Sequence, residues 1–318
     1  MQHDHIGIAG IGTALPERFV PLAGLPLISP PENLAAFGFT GAAIADDTAS
    51  LAKTAAQRAL SHAGTGASDI DVLLWASALS DAHHRASTVA ESTGLGGFCY
   101  SASWLQEELA LDRATVSGVA QQGCAGMFSA LRTARALLIA EPDVRQVLCV
   151  GADALPRGAC REVLYNVISD AACAVVMSQS ALRWRWLAWH QISKGYYWDV
   201  PALGSEIIAA YFPTAKAVIQ GLLTRAHLTP AEIDLVIPTG VNASSWPILL
   251  RLCGIPEDRL YQCRERFGHT IAADSFLLME EAAAAGAVRP GMRVLLFTYG
   301  CGSSWCALLL EATGEVAR

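Results

Sequence analysis

Apolar positions along the chain alternate between short unbroken runs and longer stripes that recur every three or four residues. The unbroken runs at 6–15, 70–75 and 147–150 predict buried strands, 70–75 on both faces, and 114–120 reads as a further strand. The stripes predict helices: 48–62, alanine-rich and closed by Gly64, and the stretch carrying Met127, Phe128, Leu131, Ala134, Leu137 and Leu138. Residues 80–111 are less regular.

The second half repeats this order. A helix is expected over 214–227, strands over 233–237, 260–264 and 293–297, and a helix from Phe276 through the alanines to Ala285. Ile70 and Ile233 are 163 positions apart, Cys124 and His269 145, and Val147 and Val294 147. The first half therefore carries about 18 additional residues before its cysteine, and 80–111 is where they belong, as a lid or a subunit contact. Four elements in one order with nearly constant offsets predict a duplicated α/β unit with predominantly parallel inner strands. The halves are taken as 1–180 and 181–318.

Composition narrows the function classes. The 318 residues are 53% hydrophobic and 16% charged, enough for a large core and too apolar for disorder. A net charge of −7 argues against nucleic acid as the main partner, although Arg251, Arg259, Arg264 and Arg266 lie in one region, as a solvated face or a dock for an acidic carrier. No apolar run reaches the roughly 20 residues of a membrane span, and the start has no basic signal region, so a cytoplasmic protein is expected. Nine cysteines without a C-x-x-C pair disfavour a metal site and a disulfide framework. The glycine pair Gly10-Ile-Gly12 is not a dinucleotide loop, because Leu15 takes the third glycine's place and Pro16 follows it.

One cysteine stands apart. Cys124, between Gly123 and Ala125-Gly126, and His269, after Gly268, occupy equivalent positions, each expected after a strand and at a helix start. A thiol by itself reads as core packing, and a lone histidine as structural. Two such units about a pseudo-twofold axis bring thiol and imidazole together, the arrangement of an activated nucleophile and its base. A helix start also favours thiolate. Asp274, five residues after His269, either orients the imidazole or serves the helix dipole; spacing leaves both open. The glycine-rich turn at 299–305 can present backbone N–H groups to an oxyanion or be a plain tight turn. Trp104, Trp198 and Trp246 are candidate walls of an aryl pocket, although tryptophan at such positions is more often core or interface, and Gly195-Tyr-Tyr-Trp198 with 80–111 is expected to shape the pocket.

Gln122-Gly-Cys-Ala-Gly126, Ile237-Pro-Thr-Gly-Val-Asn242, Phe267-Gly-His-Thr-Ile-Ala-Ala273 and Tyr299-Gly-Cys-Gly-Ser-Ser-Trp305 resemble the landmarks of ketoacyl-acyl-carrier-protein synthase III, as does Gly10–Pro16. The resemblance implies an α/β thiolase fold of duplicated βαβαβαββ-type halves in α-β-α-β-α layers, and a homodimer. It implies Cys124 as acyl-accepting nucleophile, an oxyanion hole from the backbone N–H groups of Cys124 and Cys301, and substrate contacts at Asn242 and Thr239. No tightly bound cofactor is implied; the acyl donor is a phosphopantetheine thioester of acyl carrier protein or coenzyme A.

Two departures change the expected reaction. Condensing members carry histidine where this chain has Thr239 and asparagine where it has His269. A neutral hydroxyl lacks the imidazole's base and donor properties, which argues against decarboxylative condensation. The pattern Cys124, His269, Asp274 resembles an atypical triad branch of antibiotic and polyketide pathways that moves acyl groups onto other acceptors. The early Phe39-Thr-Gly-Ala42 lacks the tryptophan and arginine of coenzyme A users, favouring a carrier protein as donor. The expected function is therefore an acyltransferase that passes an acyl group from Cys124 to an O, N or S acceptor. The alternatives are a carbon–carbon condensing enzyme and a non-catalytic partner subunit.

Overall fold

The glycine-rich opening run becomes strand β1 (Gly7–Ala14), buried along its whole length in the computed structural model, which describes residues 5–79, 100–263, 268–301 and 304–314. Its glycines serve packing. A Cβ on Gly10 would sit 2.4 Å from the Ala59 carbonyl oxygen, and one on Gly12 2.3 Å from that of Ala55. The backbone of β1 therefore lies directly against the alanine face of helix α2 (Thr48–Ala63). Asp47 caps α2 by accepting from the N–H groups of Ala49 and Ser50, and Gly64 ends it in the left-handed region. Before α2 come a short antiparallel pair, β2 (Phe19–Pro21) with β3 (Gly41–Ala43), and helix α1 (Pro31–Ala36).

The remaining strands are β4 (Val72–Ala76), β5 (Thr115–Val119), β6 (Gln146–Asp153), β7 (Glu162–Val163), β8 (Asn166–Val167), β9 (Ala171–Ser178), β10 (Trp184–Ser193), β11 (Leu235–Ile237), β12 (Arg293–Gly300) and β13 (Ser304–Ala312). Among the described residues eight of them join β1 in one sheet ordered β11-β12-β13-β10-β1-β9-β6-β4-β5, and β7 and β8 form a separate hairpin. The order mirrors itself about the β1–β10 pair, with β4, β6 and β9 matched by β11, β12 and β13. The boundary expected at residue 180 falls in the connection between β9 and β10.

Layers follow from where the apolar faces go. Helices α2 and α3 (Ser101–Glu108) cover the outer face of the first half. Helices α5 (Gly204–Ala226) and α6 (Ser245–Cys253) cover that of the second. Between the halves lie α4 (Gly126–Ala140) and α7 (Asp274–Ala284), whose Phe128 and Phe276 meet edge-on at 6.1 Å between ring centroids. The result is the expected α-β-α-β-α thiolase layering.

Four expectations are corrected. The inner strands are mixed rather than predominantly parallel. Only β4–β5, β4–β6 and β11–β12 pair parallel; β9, β10 and β13 run antiparallel to their neighbours, and the tight link from β12 to β13 permits nothing else. The strand expected over 260–264 shrinks to a single bridge from Leu260 to Val236. Helix α5 begins ten residues before Thr214 and carries Pro213 inside it. Within 80–111, Ser101–Glu108 is a regular helix; the lid or subunit contact expected there falls largely on 80–99, outside the described residues.

By length and composition α5 is apolar enough to cross a bilayer, but its Ile207, Ala215, Val218, Ile219, Leu222 and Leu223 are buried beneath the layer it forms over β10 and β13.

Candidate active site

Cys124 sits in a single 3-10 turn (Gly123–Ala125) that runs directly into α4. The turn is held against the end of β12. A Cβ on Gly123, whose φ is +51°, would lie 2.6 Å from the Cys301 nitrogen, and one on Gly300 would lie 1.8 Å from the Gln122 oxygen. Only glycines allow these two backbones to touch.

His269 had been expected just after a strand over 260–264, of which the described residues 260–263 hold only the Leu260 bridge. It lies in a loop five residues before α7, pinned by its own backbone: its N–H donates to the Val167 carbonyl (2.7 Å) and its carbonyl accepts from Ser169 N–H (2.9 Å). Gly268 precedes it at φ +85°, packed so closely against Val167 and Ser169 that a Cβ would collide with them. The β7–β8 hairpin that supplies this anchor is secured near its base by the buried Arg161–Asp170 ion pair.

The side chains form a row. Cys124 Sγ is 3.1 Å from His269 Nε2, and His269 Nδ1 donates to Asp274 Oδ2 at 2.5 Å. Asp274, the first residue of α7, also accepts from Gly240 N–H (2.6 Å) and from both the N–H and the hydroxyl of Thr270 (2.6 Å each). All three side chains of the row are buried. Of the two uses left open for Asp274, orientation of the imidazole is the one the geometry displays. The row lets one proton be shared between sulfur and nitrogen while the carboxylate holds the imidazole's tautomer.

Electrostatics agree with the geometry. Burial by itself would depress His269, but the Asp274 carboxylate and the Cys124 sulfur outweigh it and hold the imidazole well above its ordinary value. Burial would raise Asp274; the charge of His269 and the donors around the carboxyl keep it below its usual range instead. The Cys301 thiol is pushed up to about 12 by burial and by the neighbouring Cys124.

These shifts carry a stability prediction. Asp274 contributes stability above the unfolded carboxyl value of about 3.9, and this is lost as pH falls through its lowered folded value. His269 contributes below the unfolded value of about 6.5, and this is lost as pH rises through its raised one. Replacing Asp274→Asn is expected to cost about 3–5 kcal/mol near neutral pH, because it leaves a buried imidazolium unpaired. Unfolding midpoints of the two proteins should converge at both pH extremes; parallel profiles would show that the pair is not ionised.

Cys124 opens onto a cavity of about 320 Å³ that reaches the surface. His269, Thr239, Asn242 and Cys301 line it, so the structure brings together every site residue expected from sequence except Asp274, which stands behind the imidazole. Thr239 is buried, and its carbonyl accepts from the Trp246 indole at 3.2 Å. Asn242 donates its N–H to Asn166 Oδ1 (2.9 Å) and accepts from Ser244 N–H (2.9 Å).

Sequence reading missed several residues. Gly240 and Thr270 brace Asp274, and Ile207, Tyr211 and Phe212 of α5 form a cavity wall. The glycine at 240 has its reason only in the fold, where a Cβ would lie 2.9 Å from Asp274 Oδ1. None of the three tryptophans proposed as pocket walls lines the Cys124 cavity: Trp104 packs beneath α2, Trp198 is 76% exposed, and Trp246 borders a second cavity of about 330 Å³ behind Asp274. Of the expected arginine cluster, Arg251 pairs with Glu257 and Arg259 with Asp258, while Arg264 and Arg266 lie outside the described residues. Among the described residues no cluster of three or more metal-ligating side chains occurs.

Residues 120–195 match the family model described as 3-oxoacyl-[acyl-carrier-protein] synthase III, and residues 223–312 match the model of its C-terminal part. The chain belongs to the ketoacyl-acyl-carrier-protein synthase III family. Among named members, a β-ketoacyl-[acyl-carrier-protein] synthase III of Nitratidesulfovibrio vulgaris is 29% identical over 300 residues, covering 83% of this chain and 84% of that protein. A Bacillus cereus synthase III is 27% identical over 326 residues, covering 96% and 99%. Solved structures agree on the fold. The Thermus thermophilus synthase III superposes with a TM-score of 0.82 at 24% identity, over 97% of this chain and 99% of that one. An acyltransferase, ChlB3, gives 0.82 at 21% identity over 98% and 99%.

Proposed function

We propose that this family member is an acyltransferase that carries its acyl group on Cys124 and passes it to an oxygen, nitrogen or sulfur acceptor. The observation that carries this reading is the continuous row Cys124–His269–Asp274, with a threonine rather than a histidine at 239 on the wall of the same cavity. The Cys124 thiolate attacks the thioester carbonyl of an acyl group held on a phosphopantetheine arm, and the thiol of that arm leaves with a proton from His269. The backbone N–H groups of Cys124 and Cys301 serve the oxyanion, a role supported by the contact of Gly123 with Cys301 and of Gly300 with Gln122 and Ala125. In the second half-reaction His269, oriented by Asp274, takes the acceptor's proton as the acceptor attacks the acyl-enzyme. Asn242 and Thr239 act as wall contacts for the arm.

Acyl carrier protein is the proposed donor. No lysine or arginine appears among the described residues of the cavity wall, so nothing there is built to hold the phosphates of free coenzyme A.

Incubation with the right carrier thioester should add one acyl mass to the wild-type protein, and Cys124→Ala should abolish the adduct. An undiminished adduct on Cys124→Ala would overturn the assignment. The names of the curated relatives favour a second reading, condensation. Release of carbon dioxide from a malonyl thioester, dependent on His269, would select it.

We also propose a homodimer. β5 ends the sheet, pairing only with β4 among the described strands, and Thr115, Ser117 and Gly118 are exposed along it. An open edge of this kind is a template for the same strand of a second copy. Gly118→Pro, which removes a donor facing the open edge, should shift the mass measured by light scattering from dimer to monomer; an unchanged mass would place the contact elsewhere.

A further inference from the structure

The proposed chemistry uses the backbone of Cys301 and leaves its thiol without a task. That thiol shares the cavity with Cys124. The turn at Cys124 and the strand end at Cys301 are in backbone contact on both sides, through Gly123 against Cys301 and through Gly300 against Gln122 and Ala125. A disulfide needs Cα atoms about 4.4–6.8 Å apart with their Cβ vectors turned toward each other, and this backbone contact beside a shared cavity is what makes the two cysteines candidates for one. Cys149, Cys173, Cys253 and Cys306 are buried in the apolar layers, and Cys160 is on the surface.

We propose that Cys124 and Cys301 form a reversible disulfide when the enzyme meets a hydroperoxide, switching acyl transfer off and shielding the nucleophile from irreversible oxidation. This regulation rests on Cys124 being the acyl-carrying nucleophile. The Cys124 thiolate attacks one peroxide oxygen, the O–O bond breaks, and the released hydroxide takes a proton to become water. Sulfur is oxidised to a sulfenic acid and the peroxide is reduced. The Cys301 thiol then attacks the sulfenic sulfur, forming S–S and breaking S–O; its proton leaves with the hydroxide as a second water. The order of events follows from the two environments. Cys124 faces an imidazole that can hold its proton, whereas Cys301 is held in its protonated form by burial and by Cys124 itself, so it resolves rather than initiates.

Intact-mass spectrometry after a pulse of hydrogen peroxide in several-fold molar excess tests this without any substrate, so its outcome is independent of whether acyl transfer is the true activity. The wild-type protein should lose the mass of two hydrogens. Non-reducing peptide mapping should join the peptides of Cys124 and Cys301, and dithiothreitol should restore the original mass. In Cys301→Ser the same pulse should instead add two or three oxygens to Cys124 that dithiothreitol does not remove. Two outcomes would overturn the proposal: no species lighter by two hydrogens in the wild type, or a cross-link mapping to another pair. If the cross-link forms but untreated protein takes up no acyl group, the switch stands as chemistry and the proposed function fails.

Discussion

Replacing His269 with glutamine is expected to slow acylation of Cys124 by about 10²–10⁴-fold, the range over which a positioned proton acceptor contributes. The sulfur has one proton acceptor in the row, the Nε2 nitrogen at 3.1 Å, and both groups are buried. Glutamine keeps a polar group on that wall but cannot accept the proton. The second half-reaction should suffer as much, because the acceptor's proton has the same destination. Quench-flow mass spectrometry resolves the two steps separately, with the acyl-enzyme appearing in the first and decaying in the second. Asp274→Asn should show the same pattern through a different route. An amide opposite Nδ1 presents a donor or a weaker acceptor, and the imidazole loses the tautomer that faces Nε2 toward sulfur. If acylation in the glutamine variant proceeds at the wild-type rate, the imidazole is not the base and the row is structural.

Much of that row was visible in the sequence because its signals are local. Cys124 and His269 each stand beside a glycine, and the glycines are there for a physical reason: Gly268 takes a left-handed φ, and Gly123 touches the backbone of Cys301. The near-constant offset between halves placed the two residues together before any coordinates did. What the pattern could not show was everything that depends on long-range contact. Gly240 reaches Asp274 from 34 positions away, and nothing in a Thr-Gly pair announces a carboxylate as its partner. His269 was read as standing just after a strand and at a helix start, by analogy with Cys124. Its conformation is instead set by Val167 and Ser169 from the other half of the chain.

Helix α5 was misread for an equally definite reason. Pro213 marks a first-turn position in most helices, so the pattern predicts a start at Thr214. Here the helix continues through it, and the ten residues before Thr214 include Ile207, Tyr211 and Phe212, a wall of the Cys124 cavity. The error in the helix start and the failure to find the cavity wall are one error. The same cause explains the tryptophans: aromatic side chains suggested a pocket, but Trp246 is drawn into the core by its indole bond to Thr239 and its packing on Phe297.

Adding a single methyl group at Gly300 should disable the site with all three side chains of the row intact. Its φ is not in the left-handed region, so alanine is permitted by the backbone and the effect is purely one of space. The new Cβ would lie 1.8 Å from the Gln122 oxygen and 2.9 Å from the Ala125 nitrogen, both backbone atoms of the turn that carries Cys124. Neither can rotate away as a side chain would. The turn and the strand end must separate by on the order of 1 Å, and a displacement of that size at a reacting centre costs about 10²-fold. It also parts the two N–H groups proposed for the oxyanion, each worth about 10²–10³-fold. Overpacking of this kind destabilises a fold by about 1–3 kcal/mol, which a domain of ordinary stability survives. Gly300→Ala is therefore expected to purify folded, with a modestly lower unfolding midpoint, and to form acyl-enzyme at least about 10²-fold more slowly than the wild type. Gly195→Ala is the matched control, since nothing lies within 4 Å of the added carbon and its φ is also ordinary. It should change neither quantity. Full acylation by Gly300→Ala would mean that the contact between the Cys124 turn and the end of β12 is incidental to the chemistry, and the oxyanion would have to be served from elsewhere.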